Sequence, residues 1–205
     1  MGFYAKHILP RALDFACSMK PVLEQREKVV PLAEGRVLEV GIGTGLNLPY
    51  YDATKVERVI GLDPAEEMLV RARKRAAGLP FAVEHLALEG ERIPLEPGSI
   101  DTVLVTYTLC TIPDVLTALG GMRRVLKPTG RLIFCEHGKA PDARVRRWQR
   151  RINPLWGKLL GGCSLDRDVP SLLKQGGFAF DTIESAYLDG PAIASFNYWG
   201  TARPA

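Results

Sequence analysis

The stretch RVLEVGIGTGLNLPYY, residues 36–51, runs an apolar strand pattern straight into Gly41, Gly43 and Gly45. Glycine loses more backbone freedom on folding than any other residue, so three within five positions mark a backbone that something must approach. A strand, a glycine turn and a helix start is the arrangement that binds nucleotides beyond the strand ends of doubly wound sheets. The rest of the chain alternates accordingly. Apolar runs near 36–41, 57–62, 80–86, 101–107 and 130–136 read as strands, and segments 64–77 and 113–126 read as helices between them. This alternation predicts a parallel sheet covered by helices on both faces. Residues 3–30 read as a helical cap over the N-terminal part, 1–30, interrupted by Pro10 and Pro21. The C-terminal third differs: a helix near 168–175, then extended runs at 178–188 and 193–203 joined by LDGPA, which predict an antiparallel hairpin. The expected fold is therefore α/β, doubly wound, with a mostly parallel seven-stranded sheet ending in that hairpin, in one domain over 1–205.

Composition narrows the ligand and the setting. A formal net charge of +4 over 205 residues is too weak to argue for nucleic acid. Cys17, Cys110, Cys135 and Cys163 are scattered without CxxC or metal-ligand spacing, so free thiols in a reducing cytoplasm are expected, with no metal. The most apolar stretch, 102–122, contains Pro113 and Asp114, which argues against a membrane span, and no segment has a signal peptide's layout. A cytoplasmic protein is expected.

The glycine loop excludes two ligands. Leu46 occupies the third glycine position of GxGxxG, and there is no GK[ST], so neither a dinucleotide fingerprint nor a phosphate-cradling P-loop is present. A nucleoside-like ligand fits better. Glu39 lies inside a strand that should be continuously apolar, so its carboxylate must be satisfied. Either it is bonded to nearby loop amides, or it also faces a cationic part of the ligand. Asp63 ends the second strand, 22 residues after Gly41, where an acid can accept from both ribose hydroxyls. Asp63-Pro64-Ala65-Glu66 also reads as a helix N-cap, first-turn proline and capping-box acid.

VLEVGIGTG, VIGLDPAEEML, EGERIP, DTVLVTYTLCTI and LKPTGRLIFCEHG stand in the order of class I S-adenosylmethionine-dependent methyltransferases, which the chain resembles from residue 30 onward. TYTLCTI, FCEHG and WQRRINPLWGKLLGGCSLDRD further resemble the small thiol S-methyltransferases of the methyltransferase-like 7 group and their bacterial relatives. The animal members begin with an apolar anchoring segment that this sequence does not match, so a membrane location is not carried over. The resemblance implies S-adenosyl-L-methionine as cofactor, with Gly41, Gly43 and Gly45 under its methionine part and Glu39 near its ammonium. It implies Asp63 on the ribose hydroxyls, Pro64 against the adenine, and Glu89, Gly90 and Glu91 along the adenine edge. For Glu89 and Glu91 a solvated loop is the competing reading. Thr106 would sit beside the sulfonium, or bond within its own strand.

Methyl transfer from a sulfonium mainly requires alignment and desolvation. A thiol, with a pKa of about 8.5, already supplies some thiolate near neutral pH, so a strong base is optional. His137 is the candidate catalytic residue, able to take a proton from the acceptor; a loop-orienting histidine is the alternative. The basic, Trp-containing stretch 143–160, within an insertion at 138–165, reads as a lid, a peripheral membrane contact or a solvated face, with Pro154 breaking its helical register. The expected activity is methyl transfer to a small, apolar acceptor, thiols first. Transfer to a lipid amine, quinone or phenol is the alternative, and a non-catalytic nucleoside-binding module is a third.

Overall fold

The computed structural model describes Tyr4 and residues 8–205, so the part of the N-terminal helical reading on residues 1–3 and 5–7 lies outside the described residues. Seven strands form one sheet: β1 (Gly35–Val40), β2 (Val56–Leu62), β3 (Ala82–Leu86), β4 (Ile100–Thr106), β5 (Leu126–His137), β6 (Phe178–Tyr187) and β7 (Phe196–Pro204). Their order is β3-β2-β1-β4-β5-β7-β6. The first five are parallel to one another, and β7 runs antiparallel to both β5 and β6. The strand order reverses between β1 and β4, which opens a crevice beyond their C-terminal ends.

The alternation along each central strand feeds two cores. Leu38, Val40, Ile60, Leu62, Val103, Val105, Leu132 and Phe134 pack on one face, under α4 (Val115–Val125) and α6 (Val169–Gln175). Val37, Val59, Leu104, Ile133 and Cys135 pack on the other, with Val29 of α2 (Lys20–Val29) and Leu69 of α3 (Glu66–Ala76). Each fully buried leucine or isoleucine adds on the order of 1.5–3 kcal/mol, so both faces of β1 and β4 are firmly held. The N-terminal prolines begin helices: Pro10 lies in the first turn of α1 (Leu9–Cys17) and Pro21 in that of α2, where a missing N–H costs nothing.

Two expectations need correction. The hairpin connection is longer than LDGPA, because residues 192–195 form a short helix, α7, and the Leu188 amide donates to the Ser195 carbonyl at 2.8 Å. Pro154 does not break the basic stretch, since α5 runs through it from Ala143 to Leu159. Pro154 is exposed, so the carbonyl it leaves without a helical partner can bond to water, while the opposite face is anchored. Among the described residues no helix is long and apolar enough to cross a membrane.

Candidate active site at the ends of β1 and β4

Gly41, Gly43 and Gly45 have φ of 76°, 54° and 81°, the left-handed region where side chains are costly. The three do different work. A Cβ on Gly41 would strike the Thr108 side chain at 2.2 Å, and one on Gly45 would meet Leu48 at 2.8 Å and the Ala72 backbone of α3 at 3.2 Å. Gly45 thus supplies the loop-to-helix packing that the third glycine of a dinucleotide fingerprint otherwise provides. Beside Gly43 the nearest atoms to such a Cβ are Met68 Cε at 3.8 Å, the Gly41 carbonyl oxygen at 3.9 Å and Asp63 Oδ2 at 4.0 Å. This flank is open, and a side chain would fill it.

Asp63 joins the loop to β2. Its Oδ2 accepts from the Gly43 amide at 3.0 Å and its Oδ1 from the Ala65 amide at 2.9 Å. Burial raises its pKa, and these two backbone bonds act against that rise. The capping-box reading fails. Helix α3 starts at Glu66 behind Ala65 with no side-chain cap, Asp63 makes a tight turn just before it, and Glu66 pairs with Arg73 instead. Each Asp63 oxygen retains capacity for a further donor.

Behind the loop lies a buried polar network. Glu39 Oε1 accepts from Asn47 Nδ2 at 2.9 Å and Oε2 from the Tyr51 hydroxyl at 2.6 Å. Asn47 Nδ2 also donates to Thr106 Oγ1 at 2.9 Å. From α2, Arg26 Nη1 donates to the same Thr106 oxygen at 2.8 Å and to Asn47 Oδ1, with its guanidinium 5.3 Å from the Tyr107 ring centroid. Burial pushes Glu39 up to about 7, against the Tyr51 and Asn47 bonds and the charge of Arg26. Its partners are thus loop side chains rather than loop amides, and Thr106 bonds to Arg26 and Asn47 rather than within its own strand. Arg26, Asn47 and Tyr51 were not singled out from sequence. NLPYY, directly after the glycines, already held two of the three.

The loop 89–91 crosses the end of β1. Gly90 is buried, and a Cβ there would press on Ile112 at 3.1 Å and Val40 at 3.3 Å. Glu91 Oε1 accepts from the Asp114 amide at 3.1 Å, which ties this loop to the start of α4. Glu91 is half-buried in that contact, whereas Glu89 and Pro64 are exposed.

Beyond β4 the backbone is strained. Tyr107, at φ 55°, is the one non-glycine residue with positive φ among those described, and its amide donates to the Cys135 carbonyl at 2.9 Å. The next two amides, of Thr108 and Leu109, both donate to Glu136 Oε1, at 2.7 and 3.0 Å. Glu136 Oε2 is buried without a partner, and burial pushes this carboxyl up to about 7. His137 Nε2 lies 3.3 Å from Cys163 Sγ, which also accepts from Trp156 Nε1 at 3.4 Å. Hydrogen bonding from Cys110 and from His137 holds the Cys163 thiol below its usual range, against its burial.

Helix α5 fixes the Cys163 segment. The two N–H groups of buried Gln149 are shared among the carbonyls of Gly138, Leu165 and Ile193, and its Oε1 accepts from the Ala140 amide. Asn153 holds Ser164, Leu165 and Asp166. The outward face carries Arg144, Arg147, Arg150, Arg151, Trp148 and Leu155, and the Tyr4 hydroxyl donates to the Leu159 carbonyl at 2.7 Å.

The open flank of Gly43, the acceptor capacity of Asp63 and the cationic Arg26 suit a nucleoside carrying an amino-acid tail. Comparison with known proteins agrees. The model of the methyltransferase domain family matches residues 38–134. The thiol S-methyltransferase TMT1A of Homo sapiens is 31% identical over 178 residues, covering 85% of this chain and 69% of that protein. The demethylmenaquinone methyltransferase of Thermus thermophilus is 29% identical over 160 residues, covering 76% and 73%. A solved S-adenosylmethionine-dependent methyltransferase from Thermotoga maritima shares the fold, with a TM-score of 0.66 at 22% identity over 97% of this chain and 98% of that one. The chain belongs to the class I methyltransferases that use S-adenosyl-L-methionine as cofactor.

Proposed function

We propose that this methyltransferase acts on a small, apolar thiol. When bound, S-adenosylmethionine supplies an electrophilic methyl group on a sulfonium, and the protein's work is to align and desolvate. In this reading Asp63 accepts from both ribose hydroxyls, Gly43 lies flat under the methionine part between Gly41 and Gly45, and Pro64 and the Gly90 amide border the adenine, with Glu89 and Glu91 at its edge. Arg26 faces the amino-acid carboxylate. Glu39 acts on the ammonium end through Asn47, and Thr106 stands at the reacting centre. Helix α2 and the segment 138–165 wall the acceptor side.

The observation that carries the thiol reading is the 3.3 Å contact between His137 Nε2 and Cys163 Sγ. The imidazole at the strand ends is already engaged by sulfur, which favours an acceptor that ionises readily, as a thiol does. His137 then acts within that pair, and the similarity to a thiol S-methyltransferase supports the same acceptor class. A phenol or reduced quinone (quinol) acceptor is favoured by one other feature, the unpartnered Glu136 Oε2, which could serve as the base such an acceptor needs. The test is transfer of labelled methyl from the cofactor into a matched panel of alkyl thiols, amines and phenols. Label in thioether alone is expected; label in phenol or amine with none in thiol would overturn the reading.

A further inference from the structure

Cys110, which the proposed mechanism does not use, meets the His137–Cys163 pair in one place. Cys110 follows β4, His137 ends β5 and Cys163 follows α5, yet Cys110 Sγ, a His137 ring nitrogen and Cys163 Sγ all lie within 4.8 Å of one another. Both cysteines are buried and neither is in a disulfide. We propose that Cys110, His137 and Cys163 form a binding site for a soft divalent cation, zinc first.

The donor set is the first argument. Two thiolates and an imidazole are what zinc selects over harder cations. With bonds of about 2.3 Å to sulfur and 2.0–2.1 Å to nitrogen, a tetrahedral ion holds its ligand atoms roughly 3.5–3.8 Å apart. The 3.3 Å between His137 Nε2 and Cys163 Sγ needs only a slight opening to reach that spacing.

The second argument is preorganisation, because backbone and side-chain bonds outside the donor atoms themselves hold the three donor segments. Gly161 and Gly162, at φ 63° and 91°, turn the chain after α5, and the Gly162 amide donates to the Gly157 carbonyl at 2.8 Å. The Ser164 amide donates to the Cys110 carbonyl at 2.9 Å, which ties two of the donor segments together. His137 pairs with Asn197 across the β5–β7 ladder. Trp156 Nε1 donates to Cys163 Sγ, the kind of N–H support that metal-bound thiolates receive from the groups behind them. Binding would require both sulfurs as thiolates and the ligating imidazole nitrogen free, and any protons these three groups carry would leave to solvent. Three protein ligands would leave a fourth position for water or another small ligand. Cys17 stands outside this set and Cys135 contacts the Tyr107 hydroxyl instead.

The test uses the full chain without a histidine tag, reduced, then loaded with zinc or cobalt(II) and passed through a desalting column. About one metal per chain is expected, and cobalt should give an intense near-ultraviolet sulfur-to-metal band with visible bands of tetrahedral form. Cys110→Ser and Cys163→Ser should each weaken zinc binding by more than the roughly 10–100-fold that follows loss of a group behind a ligand. Cys17→Ser should bind as the parent does. Should a ligand variant fail to fold, the parent's cobalt spectrum still decides, since only thiolate ligation gives the near-ultraviolet band. No metal retained by reduced, folded parent protein would overturn the proposal. So would equal binding by the Cys110→Ser/Cys163→Ser double variant, or a Cys110–Cys163 disulfide that persists in reductant.

Discussion

Asp63 Oδ2 accepts the amide proton of Gly43 at 3.0 Å, so the acid that ends β2 and the loop that follows β1 form one unit. The pairing orients the carboxylate toward the open flank of Gly43 and leaves each oxygen able to take one more donor. A change at either residue should therefore be read most strongly in ligand binding.

Asp63→Ala should weaken binding of S-adenosylhomocysteine by roughly 1.5–3 kcal/mol, the range for hydrogen bonds to a charged group. Loss of the two backbone contacts should lower stability by a smaller amount, about 1 kcal/mol. Calorimetric titration alongside thermal unfolding separates the two. Lower stability with unchanged affinity would leave Asp63 as a turn residue only.

Gly43→Ala and Gly45→Ala should fail in different ways. Both place a side chain at positive φ, at a cost of about 1–2 kcal/mol. Only at Gly45 does the new methyl also meet Leu48 at 2.8 Å and the Ala72 backbone at 3.2 Å, so that variant should lose more stability. Gly43→Ala should fold and lose at least about tenfold in cofactor affinity, because its methyl occupies the flank that the proposed function assigns to the cofactor. Denaturant melts and binding titrations of the pair check this; equal affinity for parent and Gly43→Ala would contradict it.

Glu39 sets a pH dependence. Burial holds its pKa at about 7 in the folded protein, whereas an unperturbed glutamate ionises near 4.5. Between those values the folded state binds the extra proton, so this residue makes stability fall as pH rises from about 4.5 to about 7. Glu39→Gln removes that contribution. Its stability relative to the parent should improve between pH 5 and pH 8 by up to about 3 kcal/mol. A constant difference across that range in urea titrations would mean that Glu39 ionises in the fold as it does in water.

Gln149→Ala should cost about 3 kcal/mol or more. It strands the Ala140 amide and three carbonyls, and each buried unsatisfied group costs about 1–3 kcal/mol. Chemical unfolding measures this directly, and a loss under about 0.5 kcal/mol would show that water replaces the side chain.

What could be read from the sequence followed from local rules. β1 and β4 are buried on both faces, so their apolar runs stand out, and the hairpin is legible as two successive extended runs, although the helix α7 in its connection is not. Helix α5 runs on through Pro154 against the local rule, because sequence does not say that the proline faces water while Gln149 and Asn153 hold the other side. Glu39 was noticed because a carboxylate in a central strand is conspicuous, and its partners Asn47 and Tyr51 lie just ahead in the chain. Arg26 was invisible for the opposite reason: it reaches Thr106 from 80 residues away, and nothing local distinguishes it from the other charges in EQREK. The Cys110–His137–Cys163 cluster was hidden in the same way, because its members come from three separate segments and show no ligand spacing along the chain.

The most direct measurement is calorimetric titration of the chain with S-adenosylhomocysteine and, separately, with NAD. The loop spends its third glycine at Gly45 and places Leu46 where the dinucleotide fingerprint needs glycine, and Asp63, paired with the Gly43 amide, keeps acceptor capacity that the proposed function assigns to ribose hydroxyls. Saturable one-to-one binding of S-adenosylhomocysteine and no heat from NAD is the result this account predicts. Tight NAD binding with no response to S-adenosylhomocysteine would contradict it.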